Sequence, residues 1–120
     1  MEIRAAQSSD VQAVMQLAAG LGPRAGPFVR SHLDRHHVLV AELDGEVVGM
    51  LAYRTDWFQC TFVTLVSVRE DYRKRGVARA LYRAVEYFEK ALAVNPNLTS
   101  VQQAIETLKA LLLQRRREMI

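Results

Sequence analysis

Residues 65–81, LVSVREDYRKRGVARAL, pass from strand-like alternation through a cluster of arginine and lysine, across one glycine, and directly into a helical pattern. Leu65, Val66 and Val68 close the run CTFVTLVSV that begins at residue 60. That run is rich in β-branched residues and apolar on both faces, as expected of a strand in a sheet covered on each side. After Gly76, the residues Val77, Leu81, Ala84, Val85, Phe88 and Leu92 recur at helical spacing to about residue 94. The first turn of a helix offers unpaired N–H donors and partial positive charge. The junction RKRGVA can therefore wrap an anion with the amides of Arg75, Gly76, Val77 and Ala78. Gly76 and Ala78 leave room for it, and Arg73, Lys74 and Arg79 add charge at the rim. A diphosphate fits this description. A plainer reading stays open, in which Gly76 eases a tight turn and the basic residues form a solvated face.

Working outward, HVLVAELDGEVVGMLAYR (37–54) holds two β-rich runs around Asp44 and Gly45, a dipeptide suited to the positive φ angles of a hairpin turn. Residues 2–6 read as a short strand. Ser8 or Ser9 offers an N-cap for a helix over about 9–20, with Asp10 at its positive end and Val11, Val14, Met15 and Ala18 on one face. Phe28, Val29 and Leu33 predict a second helix over about 25–35. Downstream, Asn95-Pro96-Asn97 stops the long helix, and Thr99 or Ser100 caps a last one, with Gln103 in capping-box position to Ser100. Its apolar face is Val101, Ile105, Leu108, Leu111 and Leu112, and Arg115, Arg116 and Arg117 fall in its last turn.

The chain has 120 residues, half of them apolar and 24% charged, which predicts one globular domain. Its net charge of +3 favours an anionic ligand without naming one. The single cysteine, Cys60, excludes an intramolecular disulfide and a CxxC metal site, and no metal is expected. The N-terminus shows no apolar leader, and no apolar run approaches a membrane span. A soluble, cytoplasmic protein is expected, with no membrane or nucleic-acid partner.

Arg73, Gly76 and Ala78 fit an acyl-coenzyme A signature of Arg or Gln, two residues, Gly, one residue, then Gly or Ala. With Tyr72 and the preceding strand in place, the sequence resembles the GNAT family of N-acetyltransferases over about residues 1–90. IRAAQSSD (3–10) is similar to that family's first strand and capped helix, and residues 38–54 to its Asp-Gly hairpin. The resemblance implies an α/β (α+β) fold with a mixed, mainly antiparallel sheet flanked by helices. It also implies acetyl-coenzyme A as cosubstrate, held by Val66, Val68, Arg73, Lys74, Arg75, Gly76, Val77, Ala78 and Arg79. In that family pantetheine lies beside the strand matching 60–68, the pyrophosphate sits on the helix starting near Gly76, and an acetyl group passes directly to an amine. The acceptor is expected to be a small-molecule or protein amine.

Beyond residue 94 the resemblance changes character. YFEKALAVNPN (87–97) is similar to the end of a tetratricopeptide repeat, so residues 1–94 read as a truncated acyl-coenzyme A domain and 95–120 as a helical tail replacing the usual continuation. A competing view takes NLTSVQQAIETL as a divergent remnant of the acetyltransferase's last motif. A recombined, truncated or engineered chimera is the implied origin, and the strand at 60–68, left without a neighbour, implies a homodimer through that edge or through the tail. The alternative function is a non-catalytic coenzyme A or anion binder, or an oligomerisation module.

The catalytic groups are not legible. The position where the family often carries its acidic base matches Thr64, which is no base near neutral pH. Tyr82, Asp56 and Tyr53 are the candidates that remain, each of the two tyrosines reading more readily as structural. Amides near Val66 and Val68 can polarise a thioester carbonyl. Cys60 reads as an inert small residue. Trp57 and Phe58 read as packing before acceptor pocket, and His36 and His37, on opposite faces of a strand start, do not make a metal site.

Overall fold

Asp44 and Gly45 adopt φ values of 54° and 78°, the left-handed turn that returns one strand antiparallel to the next. Around this hairpin the computed structural model, which describes residues 1–57, 60–95, 97 and 101–118, builds a four-stranded sheet in the order β1-β2-β3-β4. The strands are β1 (Glu2–Ala5), β2 (Val38–Leu43), β3 (Glu46–Trp57) and β4 (Cys60–Val68). The helices are α1 (Val11–Ala19), α2 (Ala25–Asp34), α3 (Val77–Val94) and α4 (Val101–Glu118). Each of the three strand pairings is antiparallel, the antiparallel part of the mixed sheet expected.

Side chains on a strand alternate between faces, and both faces here are covered. Val38, Val40, Met50 and Ala52 pack with Val14 and Val29 of α1 and α2. Leu39, Ala41, Leu51 and Tyr53 pack with Val77, Leu81, Ala84 and Phe88 of α3. Tight approach of α3 to the sheet depends on Gly49, where an added Cβ would stand 2.7 Å from Val77 Cγ1 and 3.5 Å from Leu81 Cδ1. Valine is stiff at χ1, so α3 rather than a rotamer must move. Gly49→Ala is expected to cost about 1–3 kcal/mol as overpacking, read as a lower urea midpoint. An unchanged midpoint would mean that the first turn of α3 is not clamped on the sheet.

The first helix begins later than its apolar spacing suggests. Ser8–Asp10 form a 3-10 turn and α1 starts at Val11, so Ser8 and Ser9 lie inside the turn rather than capping it. The cause is Asp10, which is buried. Its carboxylate accepts from the Gln7 amide at 2.7 Å and takes both terminal nitrogens of Arg4, at 2.6 and 3.0 Å. Arg4 Nε donates in turn to Glu42 at 3.1 Å. The cluster ties β1, β2 and the entry to α1 together.

At the C-terminal end, α4 lies against α3 and reaches β1, burying Ala104 and Ile105 beside Phe88 and Ala91 with Leu108 half-buried. Leu111, expected on this face, is exposed. The caps expected at Thr99 or Ser100, and the side chains of Val101, Leu112 and Arg115–Arg117, lie outside the described residues. α4 therefore covers the β1 side, whereas β4 stands at the opposite edge of the sheet with no strand beyond it among the described residues. Among those residues no helix is long and apolar enough to cross a membrane.

Candidate functional site

The open edge of β4 and the first turn of α3 enclose a groove of about 550 Å³. It is lined by Val66, Ser67, Val68, Tyr72, Arg73, Lys74, Gly76, Val77, Ala78 and Arg79, with Leu21 contributed by the loop after α1. Eight of the nine residues expected to hold an acyl-coenzyme A are in that lining. The ninth, Arg75, is exposed beside it with its guanidinium 5.1 Å from the centre of the Tyr72 ring.

Backbone shape at the junction is specific. Lys74 has φ 64° and Gly76 φ 80°, while Arg75 between them is not among the residues with positive φ and Val77 opens the helix. Such alternation of left- and right-handed residues turns successive N–H groups toward a common point, forming an anion-binding concavity. Ala80 makes the first bond of the helix, donating to the Gly76 carbonyl at 3.0 Å. The amides of Val77, Ala78 and Arg79 precede it and belong to the unpaired first turn. A Cβ built on Gly76 meets nothing within 4 Å, so the space in front of this backbone is open. Holding the non-glycine Lys74 left-handed costs about 1–2 kcal/mol, a strain that the surrounding loop sustains.

That loop is braced from both sides. Arg73 Nε donates to the Val68 carbonyl at 3.2 Å, and Arg69 bonds both oxygens of Asp71, at 2.8 and 2.6 Å, and Glu46 at 3.2 Å. The Arg69 guanidinium holds the exposed Asp71 carboxyl below the usual carboxylate range. Ser67 is buried and donates to the Leu17 carbonyl at 3.1 Å, fixing β4 to the end of α1. Four cationic side chains, Arg73, Lys74, Arg75 and Arg79, remain exposed around the concavity.

The edge beside it is also oriented. Arg69 N–H donates inward to the Val48 carbonyl at 2.8 Å, and residues of an antiparallel strand alternate in which side their backbone groups face. Val68 and Val66 therefore turn their N–H groups to the open edge, consistent with the outward Val68 carbonyl that Arg73 caps. Register shifts between Ala52 and Tyr53, whose partners are Leu65 and Val63, so Thr64 is the extra residue of a bulge.

The remaining sequence candidates lie elsewhere. Tyr53 is buried and its hydroxyl donates to the His36 carbonyl at 3.3 Å, a core position away from the groove. Tyr82 is exposed on α3, one turn beyond Ala78, and does not line the groove. The side chains of Asp56, Trp57 and Cys60, and all of Phe58, lie outside the described residues. His36 sits in a left-handed turn, φ 60°, just before β2, and His37 stacks on Tyr53 at 5.0 Å between centroids. Among the described residues no three His, Cys, Asp or Glu side chains converge as a metal would require. Leu21, Ser67 and Tyr72 line the groove in addition to the expected residues. Ser67 follows from alternation with Val66 and Val68, whereas nothing local marks Leu21, which depends on how α1 packs.

Comparison with known proteins is consistent with this geometry. The sequence model of the Acetyltransferase (GNAT) family matches residues 11–110, which extends past the expected limit near residue 90 and into α4. No curated protein matches the chain. Among solved structures, a GNAT-family acetyltransferase from Bacillus cereus superposes with a TM-score of 0.60 at 22% identity, covering 72% of this chain and 61% of its own. An aminoglycoside antibiotic 6'-N-acetyltransferase from Acinetobacter haemolyticus gives 0.61 at 21% identity, covering 78% and 74%. A Mycobacterium tuberculosis protein solved in complex with CoA gives 0.65 at 23% identity, covering 77% and 59%. The chain thus spans less than two thirds of the Bacillus and Mycobacterium proteins.

Proposed function

The chain belongs to the acetyltransferase (GNAT) family, and from that premise we propose that it binds acetyl-coenzyme A in the β4–α3 groove and transfers the acetyl group to an amine. The observation that carries the reading is the backbone concavity at residues 74–78, whose alternating φ signs and open front suit a diphosphate. Arg73, Lys74, Arg75 and Arg79 surround it with the charge such a ligand neutralises. The outward amides of Val66 and Val68 then serve an extended arm lying along β4, pairing with it as a neighbouring strand would. The same donors can polarise a carbonyl oxygen at the end of that arm. When bound, acetyl-coenzyme A would supply a thioester to a neutral amine: the C–N bond forms, the C–S bond breaks with its electron pair leaving on sulfur, and the proton lost from nitrogen balances the one the departing thiolate takes up.

The acceptor class is an amine of a small molecule or a protein. The test is thiol release from acetyl-coenzyme A in the presence of a diamine, an aminoglycoside, a free amino acid and a lysine peptide. Release that depends on one of these amines and rises with its concentration is expected. Release no faster than in buffer across the whole set would contradict the transfer reading.

A further inference from the structure

We propose that His32 is a positioning residue for proton removal farther along β4 from this groove, taking a proton from the acceptor amine through the hydroxyl of Thr64. The proposal rests on the transfer reading above and adds the group that accepts the proton, a role no acidic side chain on β4 fills.

His32 lies on α2 and is 5% exposed, yet both ring nitrogens have polar neighbours. Nδ1 is 2.9 Å from the Phe28 carbonyl, and Nε2 is 3.0 Å from Thr64 Oγ1. A carbonyl only accepts, so Nδ1 carries the proton of the neutral ring and Nε2 is left bare. The bare nitrogen faces a hydroxyl with a second acceptor, the Ala52 carbonyl, at 3.0 Å. One hydroxyl proton serves two acceptors, and in the neutral state one contact always lacks its hydrogen. Adding a single proton at Nε2 completes the set: Nδ1–H to Phe28, Nε2–H to Thr64, and Thr64 O–H to Ala52. The cluster is thus arranged to receive one proton.

Thr64 is also placed to deliver it. It is the extra residue of the β4 bulge, and bulges re-aim side chains beside active sites. An arm leaving the concavity and following β4 toward its start passes Val68 and Val66 and reaches Thr64 after about 13 Å, at about 3.3 Å per residue. Thr64 Oγ1 has a lone pair beyond the contacts it makes to His32 and Ala52. In the step proposed, a protonated acceptor amine gives one N–H proton to Thr64 Oγ1 while the Thr64 hydroxyl proton passes to His32 Nε2. The products are the neutral amine, an unchanged threonine and a His32 imidazolium. Among the described residues, the groups facing the ring are Phe28, at 4.7 Å between centroids, and Ser31 on α2, and Thr64 on β4. None of these carries a charge to compete for the proton. The cycle closes when the Nε2 proton leaves through the Thr64 hydroxyl after the product departs, which restores the Nδ1–H ring.

The test combines imidazole 15N NMR of the full chain with steady-state kinetics on the amine panel. The neutral ring of His32 is expected to be protonated at Nδ1, with a second N–H appearing at Nε2 on acidification. His32→Gln and Thr64→Val are each expected to lower kcat by about 100-fold, the low end for general base catalysis, and to leave coenzyme A affinity unchanged. Both should flatten the acidic limb of the pH–rate profile, and Thr64→Ser should restore it. A neutral ring protonated at Nε2, or a Thr64→Val enzyme with wild-type kcat and pH profile, overturns the proposal alone. Normal acetyl-coenzyme A binding with no wild-type turnover on any amine overturns the transfer reading, and this proposal with it.

Discussion

Gly76→Glu is expected to remove coenzyme A binding, by about 100-fold or more, the loss of two charge-assisted hydrogen bonds worth about 1.5–3 kcal/mol each, while the protein stays folded. The residue holds φ 80° and its missing Cβ faces open space. A Cβ there meets nothing within 4 Å, so the backbone cost is the left-handed strain of about 1–2 kcal/mol. Its carboxylate, however, stands in the groove that Gly76 lines and takes the place of an anionic ligand at the positive end of α3. Gly76→Ala should fall between, since a methyl group intrudes without adding charge. Titration of each variant with coenzyme A, paired with its melting temperature, separates the two effects. A Gly76→Glu protein that binds normally would place the diphosphate somewhere else.

Asp10→Ala is expected to destabilise the protein by about 3–5 kcal/mol, because it leaves the mostly buried Arg4 without its main partner. Three interactions end on this carboxylate: two from Arg4, at 2.6 and 3.0 Å, and the Gln7 amide at 2.7 Å. Arg4 holds the Asp10 carboxyl below the usual carboxylate range against the opposing effect of burial, with the Gln7 amide adding to the shift. A depressed folded-state pKa contributes stability that is present above the unfolded value and lost as pH falls through the folded one. Wild-type stability should therefore hold above about pH 4, near the ordinary aspartate value, and decline below it. The Asp10→Ala protein should lack that part of the decline. Urea denaturation between neutral and acidic pH measures both, and equal pH slopes in the two proteins would mean that the Arg4 pair does not couple folding to protons.

What the sequence discloses follows the range over which its signals act. The hairpin was legible because Asp44-Gly45 carries its own backbone preference. The extents of β4 and α3 were legible because both elements end at local signals, the basic loop and Pro96. The groove was legible for a related reason: a helix N-terminus, a glycine and the cations around it are neighbours in the chain. Long-range pairings were not. Asp10 read as a helix-terminus acid, and nothing local showed that Arg4 would reach it and shift the start of α1. His32 and Thr64, 32 residues apart, meet only through the tertiary packing of α2 against β3, the strand that pairs with β4. Leu111 matches the apolar spacing of α4 yet is exposed, since spacing alone does not say how far along the helix its partners extend.

On the function proposed, the backbone concavity at residues 74–78 holds a diphosphate. Calorimetric titration of the wild-type chain with coenzyme A and, separately, with pantetheine tests it most directly. Both ligands can lie along β4, and only the first carries the diphosphate. Saturable coenzyme A binding that weakens with salt, as exposed cations require, and pantetheine binding weaker by about 100-fold, two charge-assisted hydrogen bonds' worth, is the predicted result. Equal affinity for the two ligands, or no binding of coenzyme A, would contradict it.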